Sequence, residues 1–273
     1  MRKLGINFET RFWPGIDEQN GLSVIKDAGF DCFFTDYYSD ERILVRYARA
    51  SQTTGLFFEC MHAPYEGINA IWRDGEDGDA MLDRLLATVR ACSHFKVPFA
   101  VVHLSSSTRP PCICDVGHRR IDRLVKEAID AKVTLCFENL RKLANMAFVF
   151  EEYTEVPQVR FCWDTGHEAC LTPGRKFMPI FGDKLGFTHI HDNLCEYNGD
   201  LHMIPFDGKI DFHYVADQIK KSGFDGTLSF EVIPTASTYY HDVSPQEYYA
   251  RAFKAACCLR EMIDNPDTEM NAN

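Results

Sequence analysis

Eight short apolar runs are the feature that most constrains the fold of this chain. Each is rich in β-branched or aromatic residues and is apolar at successive positions, which is typical of strands covered on both faces. The runs are LGINF at 4–8, FDCFFTD at 30–36, GLFFECMH at 55–62, FAVVHL at 99–104, VTLCFEN at 133–139, VRFCWD at 159–164, FTHIHD at 187–192 and TLSFEV at 227–232. This pattern favours a sheet of parallel strands.

The segments between the runs have helical periodicity, with apolar residues three and four positions apart. The clearest of these segments are residues 78–95, 117–132, 212–223 and 245–263. Asp211 and Ser244 stand before two of them, and their side chains can accept the unpaired amide hydrogens of a first turn. Gly223 is a typical residue at a helix end. The chain therefore alternates strand and helix throughout.

Eight such alternations in 273 residues predict an α/β fold of the (β/α)8 TIM barrel type, which typically needs roughly 250 residues. A doubly wound open sheet is the alternative. That fold usually has a Gly-rich turn after its first strand, whereas the segment NFETRFWPG carries the bulky Phe12 and Trp13. Since no linker or repeat divides the chain, we predict a single domain over residues 1–273.

The charge balance limits the classes of partner. The chain has 29 basic and 40 acidic residues and a formal net charge of −11, and its basic residues form no stripe. This disfavours nucleic acid, whose binding depends on accumulated Lys and Arg contacts to phosphates. No apolar run approaches the roughly 20 residues that span a bilayer, and the first residues lack a signal-peptide pattern. We expect a cytoplasmic protein without a membrane partner, and reduced thiols for its eleven cysteines.

Metal-capable side chains lie at or just beyond the ends of several runs. In a barrel the carboxyl ends of the strands form the catalytic face, so such residues converge although they are distant in sequence. Glu138, Asp164, His191 and Glu231 close four successive runs. Alone, each has a plain explanation, such as a helix cap, an ion pair or a core histidine. Together they predict one divalent-metal site, because gathered carboxylates repel without a cation, and Mn²⁺, Zn²⁺, Co²⁺ and Mg²⁺ all suit this donor set.

Five further residues could bind additional metal or substrate: His62, His103, His167, Asp200 and His202. His62 and His103 end the third and fourth runs, and Asp200 and His202 alternate along a loop. The competing explanations are histidines that merely line the mouth, a loop hydrogen bond and solvent exposure. His189 lies two positions before His191, on the same face of the strand one layer deeper, where we expect it to hydrogen-bond a site residue.

The expected partner is a small carbohydrate or polyol. The loops after the last two strands read HDNLCEYNGDLHMIPFDGK and VIPTASTYY, and neither resembles the Gly-rich phosphate cradle of phosphosugar barrels. We therefore predict an unphosphorylated sugar, keto-sugar or cyclitol. Phe12, Trp13 and Trp72 are candidates to pack on its apolar face, with plain core packing as the alternative.

The order of six motifs resembles a known superfamily over roughly the whole chain. The motifs are FEN at Glu138, WDTGH at 163–167, THIHDN at 188–193, DLH at 200–202, KIDF at 209–212 and FEV at Glu231. They look like the xylose isomerase-like superfamily of TIM barrels. It contains sugar isomerases, ketose 3-epimerases, inosose isomerases and dehydratases, and the endonuclease IV nucleases.

The resemblance to the ketose epimerases implies that Glu138, Asp164, His191 and Glu231 hold one metal, with Mn²⁺ favoured. It also implies that Glu138 and Glu231 form the acid/base pair, that His167 orients a sugar oxygen and that the chain forms dimers or tetramers. Those epimerases carry an Arg six residues beyond the metal-bound His, where this chain has Tyr197. Hydride-shift isomerisation, dehydration and elimination from a keto-sugar therefore stay open beside epimerisation.

The same chain also resembles endonuclease IV. The match to its three-zinc ligand set comprises His62, His103, Glu138, Asp164, His167, His191, Asp200, His202 and Glu231. This implies an abasic-site phosphodiesterase as the alternative function, against which the acidic balance stands. A noncatalytic sugar-binding protein is a third interpretation, opposed by the presence of both candidate acid/base glutamates.

Overall fold

The computed structural model describes residues 1–264 of the chain. It contains eight parallel strands: β1 (Leu4–Asn7), β2 (Cys32–Asp36), β3 (Phe57–His62), β4 (Phe99–Val102), β5 (Thr134–Glu138), β6 (Val159–Asp164), β7 (Leu185–His189) and β8 (Leu228–Phe230). Seven of the predicted runs contain one of these strands, and the run at 187–192 overlaps β7, which begins earlier, at Leu185, and ends earlier, at His189. The predicted number and order of the strands are thus confirmed.

Helices connect the strands. They are α1 (Glu18–Ala28), α2 (Glu41–Thr54), α3 (Glu76–Phe95), α4 (Asp115–Ala131), α5 (Leu143–Glu152), α6 (Thr165–Leu171), α7 (Met178–Phe181), α8 (Phe212–Ser222) and α9 (Pro245–Asp264), with short 3₁₀ turns at Thr10–Phe12, Ile68–Trp72, Gly182–Lys184 and Thr238–Tyr240. The predicted caps are present: Asp211 accepts the backbone N–H of His213 at 3.0 Å, and Ser244 accepts that of Glu247 at 3.2 Å. Gly223 ends α8 in the left-handed region, with φ of 69°.

The sheet runs in the order β7-β6-β5-β4-β3-β2-β1-β8. It closes beyond the strand ends, where Ile190 pairs in parallel with Phe230 and donates its N–H to the Ser229 carbonyl at 3.0 Å. This is the predicted single-domain (β/α)8 TIM barrel, and the open-sheet alternative is wrong. Because the barrel is closed, the ends of β1 and β8 and those of β5 and β6 surround the same mouth.

Apolar side chains fill the barrel below this mouth. Phe34, Cys60, Val101, Cys136, Cys162 and Phe187 form a buried cluster inside the cylinder. All eleven cysteines are free thiols, as expected, and those of this cluster pack as small apolar residues. This packed interior lies beneath the polar residues of the mouth. Among the described helices, none has the length and apolar character that a bilayer crossing requires.

Candidate metal centre

A cavity of about 140 Å³ lies at the mouth of the barrel. Seven of the nine predicted metal-capable residues line it: His62, His103, Glu138, His167, Asp200, His202 and Glu231. The other two, Asp164 and His191, are fully buried behind its wall. The structure therefore brings all nine into one region, and it separates those that face the cavity from those that support it.

Glu138, the last residue of β5, is the most crowded carboxylate of the site. Its Oε2 lies 3.1 Å from Nε2 of His103, 3.4 Å from Nε2 of His62 and 3.2 Å from Nδ1 of His189. Its Oε1 lies 2.8 Å from Nδ1 of His167. Burial opposes ionisation of Glu138, but the imidazoles, led by His103 and His189, outweigh it and hold the pKa of this carboxyl well below its usual range. Glu138 is thus an anion surrounded by nitrogen donors.

Asp164 and His191 form a buried pair on the adjacent strands β6 and β7. Nε2 of His191 lies 3.1 Å from Oδ1 and 3.2 Å from Oδ2 of Asp164. The hydroxyl of Thr165 joins the two strand ends, since it donates to the His191 carbonyl at 2.8 Å and accepts the His191 N–H at 3.0 Å. The Thr165 side chain thus holds the backbone of His191, and His191 in turn contacts Asp164.

A second group of donors comes from the loop after β7. Oδ2 of Asp200 lies 3.2 Å from Nε2 of His167 and 3.3 Å from Nε2 of His202. Burial lowers the pKa of His202, but the Asp200 carboxylate outweighs it and raises that pKa to about 10. The same two imidazoles lower the pKa of Asp200 against the effect of burial. Each buried charge here is compensated by the opposite charge.

Glu231, which follows β8, lies across the mouth from Glu138. Its Oε2 is 3.5 Å from Nδ1 of His189 and 3.5 Å from Nδ1 of His202. Its side chain is 14% exposed, against 1% for that of Glu138. Glu231 is therefore the more accessible of the two candidate acid/base carboxylates, and His189 lies between them.

Two histidines are oriented as metal ligands usually are. Nδ1 of His62 donates to the Ala63 carbonyl at 2.8 Å, and Nδ1 of His202 donates to the Glu231 carbonyl at 3.0 Å. A backbone carbonyl that takes one ring N–H fixes the ring and directs the other nitrogen inward. In both residues Nε2 consequently faces the cluster.

The donor set fits a divalent cation. The described residues include mutually close triads such as His62–His103–Glu138, His167–Asp200–His202 and His191–His202–Glu231, with donor atoms within 4.8 Å of one another. Metal bonds of about 2.0–2.2 Å place neighbouring donors roughly 3 Å apart, close to the separations above. Glu138 Oε1 and His167 Nδ1 are both buried, and although they lie 2.8 Å apart, neither makes a well-aligned hydrogen bond. Such atoms are costly unless a bound group satisfies them.

One carboxylate that supports the site escaped sequence reasoning. Asp192 is fully buried and accepts four backbone amides at 2.8–3.0 Å: Asn193, Phe206, Gly208 and Ile210. These bonds hold both ends of the loop that carries Asp200 and His202. The motif THIHDN contains this residue, but nothing in the motif indicates that its partners are backbone groups up to 18 positions away.

The β1–β3 side of the mouth carries further polar residues that sequence reasoning missed. Glu9, Arg11, Asp36 and Tyr65 line the cavity. Arg11 pairs with Asp36 at 2.8 Å, and the Tyr65 ring stacks on that of His103 with centroids 5.0 Å apart. Asp36 ends β2 and Glu9 follows β1, so the strand-end argument could have found both. Arg11 and Tyr65 carried no signal.

The aromatic predictions require correction. The Trp72 ring is 3% exposed and donates its Nε1 to the Leu104 carbonyl at 2.6 Å, so it is a core residue and does not reach the cavity. Trp13 packs on Tyr248 with centroids 5.6 Å apart and lies outside the cavity wall, whereas its neighbour Phe12 does line it. Both tryptophans are held by surrounding aromatic and backbone groups in the shell outside the strands.

Comparisons with known proteins agree with the fold. Residues 22–256 match the family described as xylose isomerase-like TIM barrel. The protein y4fM of Sinorhizobium fredii (strain NBRC 101917 / NGR234), which is described as uncharacterized, is 35% identical over 150 residues. That alignment covers 55% of this chain and 45% of the relative, so the chain spans under half the length of this curated relative.

Several solved structures share the architecture over nearly the whole chain. A 3-keto-D-glucoside 4-epimerase from E. coli, in its apo form, has a TM-score of 0.73 at 18% identity and covers 95% of this chain and 99% of its own. An L-ribulose 3-epimerase has a TM-score of 0.75 at 16% identity, with 99% of each chain covered. A D-psicose 3-epimerase from Clostridium cellulolyticum H10, crystallised with D-tagatose, has a TM-score of 0.76 at 15% identity and covers 96% and 99%. At these identities the similarity establishes a common fold.

Proposed function

The chain belongs to the xylose isomerase-like TIM barrel family, and we propose that it is a divalent-metal-dependent isomerase or epimerase of an unphosphorylated sugar, keto-sugar or cyclitol. The observation that carries this proposal is the placement of Glu138 and Glu231 on the wall of one small cavity, among buried imidazoles. Dehydration or elimination of a keto-sugar would use the same groups and is the nearest alternative chemistry. A cytoplasmic location is part of the same proposal.

We propose Glu138, Asp164, His191 and Glu231 as the ligands of one divalent cation, with manganese favoured and zinc, cobalt and magnesium as alternatives. Three carboxylates and one imidazole suit such ions. A cation there would polarise a sugar carbonyl and stabilise the negative charge that develops when the neighbouring carbon loses its proton. The buried Asp164–His191 pair would hold it from behind, and the two glutamates from the cavity side.

Glu138 and Glu231 are the proposed acid/base pair. β5 and β8 are separated by β6 and β7 around the closed barrel, so the two carboxylates reach the cavity from different walls. A carboxylate on one side of a carbon can remove its proton while a second carboxylate on the other side returns one. His167, between Glu138 and Asp200, is proposed to hold a sugar oxygen in position.

The cavity wall favours a neutral substrate. Besides the candidate ligands, Glu9 and Asp36 add carboxylates to this wall, and Arg11 is paired with Asp36 at 2.8 Å. Arg11 is therefore not free to bind a phosphate, and no other Arg or Lys is found among the described residues that line the cavity. An unphosphorylated sugar can instead donate its hydroxyl hydrogens to these carboxylates.

Metal analysis followed by isotope exchange tests the proposal. We expect about one divalent ion per chain, in keeping with the four-ligand site, and metal-dependent transfer of solvent deuterium to a carbon of a free or glycosidic keto-sugar, read by NMR. Glu231→Gln should slow the exchange by about 10²–10⁴, and the exposed Glu196→Gln serves as the matched control. Loss of exchange in the control variant, or exchange that survives complete chelation, would contradict the proposal.

A second candidate has a specific observation in its favour. The triads His62–His103–Glu138 and His167–Asp200–His202 flank the central site, and a set of three such groups can hold three zinc ions. Three ions would suit an abasic-site phosphodiesterase, in which several cations together stabilise a phosphodiester and activate water. The acidic wall and the net charge of −11 oppose a nucleic acid substrate. Three zinc ions per chain, with cleavage of an abasic oligonucleotide that chelation stops, would replace our proposal with this one.

A further inference from the structure

A larger groove adjoins the cavity at the mouth of the barrel. The groove has a volume of about 790 Å³, against about 140 Å³ for the cavity. Arg11, Asp36, His62 and Tyr65 line both, so the two spaces are neighbours that share these four side chains. Small-molecule sites commonly measure about 300–1,000 Å³. The cavity alone is smaller than this range, and the cavity with its groove is not.

Three segments form the groove. The loop after β2 contributes Tyr37, Tyr38 and Ser39, the loop after β3 contributes residues 63–66, and α3 contributes Asp83, Arg84 and Ala87. Arg84 is held against the second loop, because its Nη1 donates to the Glu66 carbonyl at 3.0 Å. The groove therefore lies on the β2–β3 side of the barrel.

The lining specifies the chemistry of an occupant. Three tyrosines, at 37, 38 and 65, line the groove with aromatic rings, and the hydroxyl of Tyr38 donates to the Glu9 carboxylate. The charged groups are two guanidiniums and three carboxylates, those of Arg11, Arg84, Asp36, Glu66 and Asp83, so they nearly balance. Such a surface suits a neutral ring that has an apolar face and many hydroxyls.

We propose that the groove binds a second sugar ring, linked to the sugar that reacts in the cavity, so that the natural substrate is a disaccharide-type glycoside. This inference rests on the proposed function for the identity of the reacting ring. The Arg11–Asp36 pair and Tyr65 stand at the junction of the two spaces, where the linkage between the rings would pass. Tyr65 is 44% exposed, and its stacking on His103 holds its ring at this junction.

The test compares two keto-sugars that share the same 3-keto-glucosyl ring and differ in the group on its anomeric oxygen. They are methyl 3-keto-D-glucoside and the disaccharide 3-keto-cellobiose with the ketone on its non-reducing ring. Deuterium incorporation gives kcat/KM for each with the metal-loaded protein. We expect the disaccharide to be preferred by about tenfold or more, the equivalent of one to two good contacts. Ala87→Trp, which narrows the groove from α3, should remove that preference and leave the methyl glycoside unchanged. Ser39→Trp narrows it from the β2 loop, so the test survives if one variant misfolds.

Ala250→Trp is the matched control, because Ala250 is exposed on α9 and is not part of the groove. Equal kcat/KM for the two sugars, or a preference that persists in both groove variants, would overturn the groove proposal while leaving the proposed reaction intact. Calorimetric titration with cellobiose and methyl glucoside tests binding in the groove independently of the proposed reaction. If neither keto-sugar exchanges hydrogen but cellobiose binds and Ala87→Trp abolishes its binding, the groove stands and the proposed reaction falls. If cellobiose fails to bind in addition, the groove proposal falls as well.

Discussion

Gly166 lies directly against the imidazole of His191: a Cβ built on this glycine would stand 1.9 Å from Cε1 of the ring. Real Cβ atoms do not approach other atoms this closely, so any larger residue at 166 must displace the histidine. The glycine of the motif WDTGH is therefore explained by its packing against His191, a candidate ligand about 25 positions further along the chain.

Gly166→Ala should impair metal binding more than folding. The added methyl group displaces the fully buried His191 from Asp164, and we expect the affinity for the divalent ion to fall at least tenfold, about 1.4 kcal/mol. Titration calorimetry with Mn²⁺ measures this. Gly182→Ala is the control, since its Cβ would meet only ordinary contacts of 3.4 Å and longer. Equal affinities for the two variants would show that His191 is not a ligand.

Glu231→Gln should separate proton transfer from folding. The amide keeps the shape of the side chain but is a very poor base, and loss of a general base typically costs about 10²–10⁴ in rate. We expect kcat for deuterium exchange into the keto-sugar to fall by a factor in that range. The melting temperature should change little, because the side chain lies on the cavity wall. A variant that retains more than half of the activity at saturating metal would remove Glu231 from the acid/base pair.

Asp192→Asn should loosen the loop that carries Asp200 and His202. The carboxylate accepts hydrogen bonds from backbone N–H groups at 2.8–3.0 Å. The amide nitrogen of the substituted asparagine is itself a donor and cannot accept them. Each buried donor left without an acceptor costs about 1–3 kcal/mol. Hydrogen exchange of residues 193–210 should accelerate, whereas β1–β4 should keep their protection. The exposed Asp217→Asn is the control, and loop protection equal to that of the wild type would contradict the role of Asp192.

Glu9 should make the stability depend on pH. Burial, aided by the neighbouring Asp36, raises the pKa of Glu9 from 4.5 to about 7, although Thr35 and Tyr38 donate to the carboxylate. A folded pKa above the unfolded one means that the folded state binds the proton more tightly. The protonated Glu9 carboxyl therefore stabilises the folded state fully below pH 4.5. This contribution to the free energy of unfolding, about 3 kcal/mol in all, is lost as the pH rises to 7.

Glu9→Gln mimics the protonated carboxyl and should abolish this dependence. The free energy of unfolding of the wild type, measured with urea, should fall relative to that of the variant between pH 4.5 and 7. The two curves should then run parallel at higher pH. The exposed Glu196→Gln should follow the wild type throughout. A difference between wild type and Glu9→Gln that does not change with pH would show that Glu9 is ionised in the folded protein.

The candidate ligands could be predicted because they obey a local rule. His62, Glu138 and Asp164 are the last residues of their strands, and His103 and Glu231 come directly after theirs. In a parallel barrel such positions share one face whatever their distance in sequence. The six motifs then singled out the family, and the match over residues 22–256 confirms it. Whether all of these residues bind metal stays a prediction.

The aromatic residues could not be placed in the same way. Trp13 and Trp72 stand in loops between strands and helices, where sequence does not specify which way a ring turns. In the structure Trp72 is held by the Leu104 carbonyl and fills the space beside Gly117, and Trp13 packs on Tyr248, far along the chain. Their burial depends on contacts between segments that only the closed barrel brings together.

The sequence by itself determined the barrel and the nine candidate metal-binding residues near its mouth, because both follow from short-range patterns: the alternation of strand and helix, and the residue types at strand ends. Only the tertiary structure decided which of those residues face the cavity, how Asp192 holds the loop of Asp200, and that a groove between the β2 loop, the β3 loop and α3 adjoins the cavity. The physical reason is that exposure and shape come from contacts between distant segments, which no local pattern encodes.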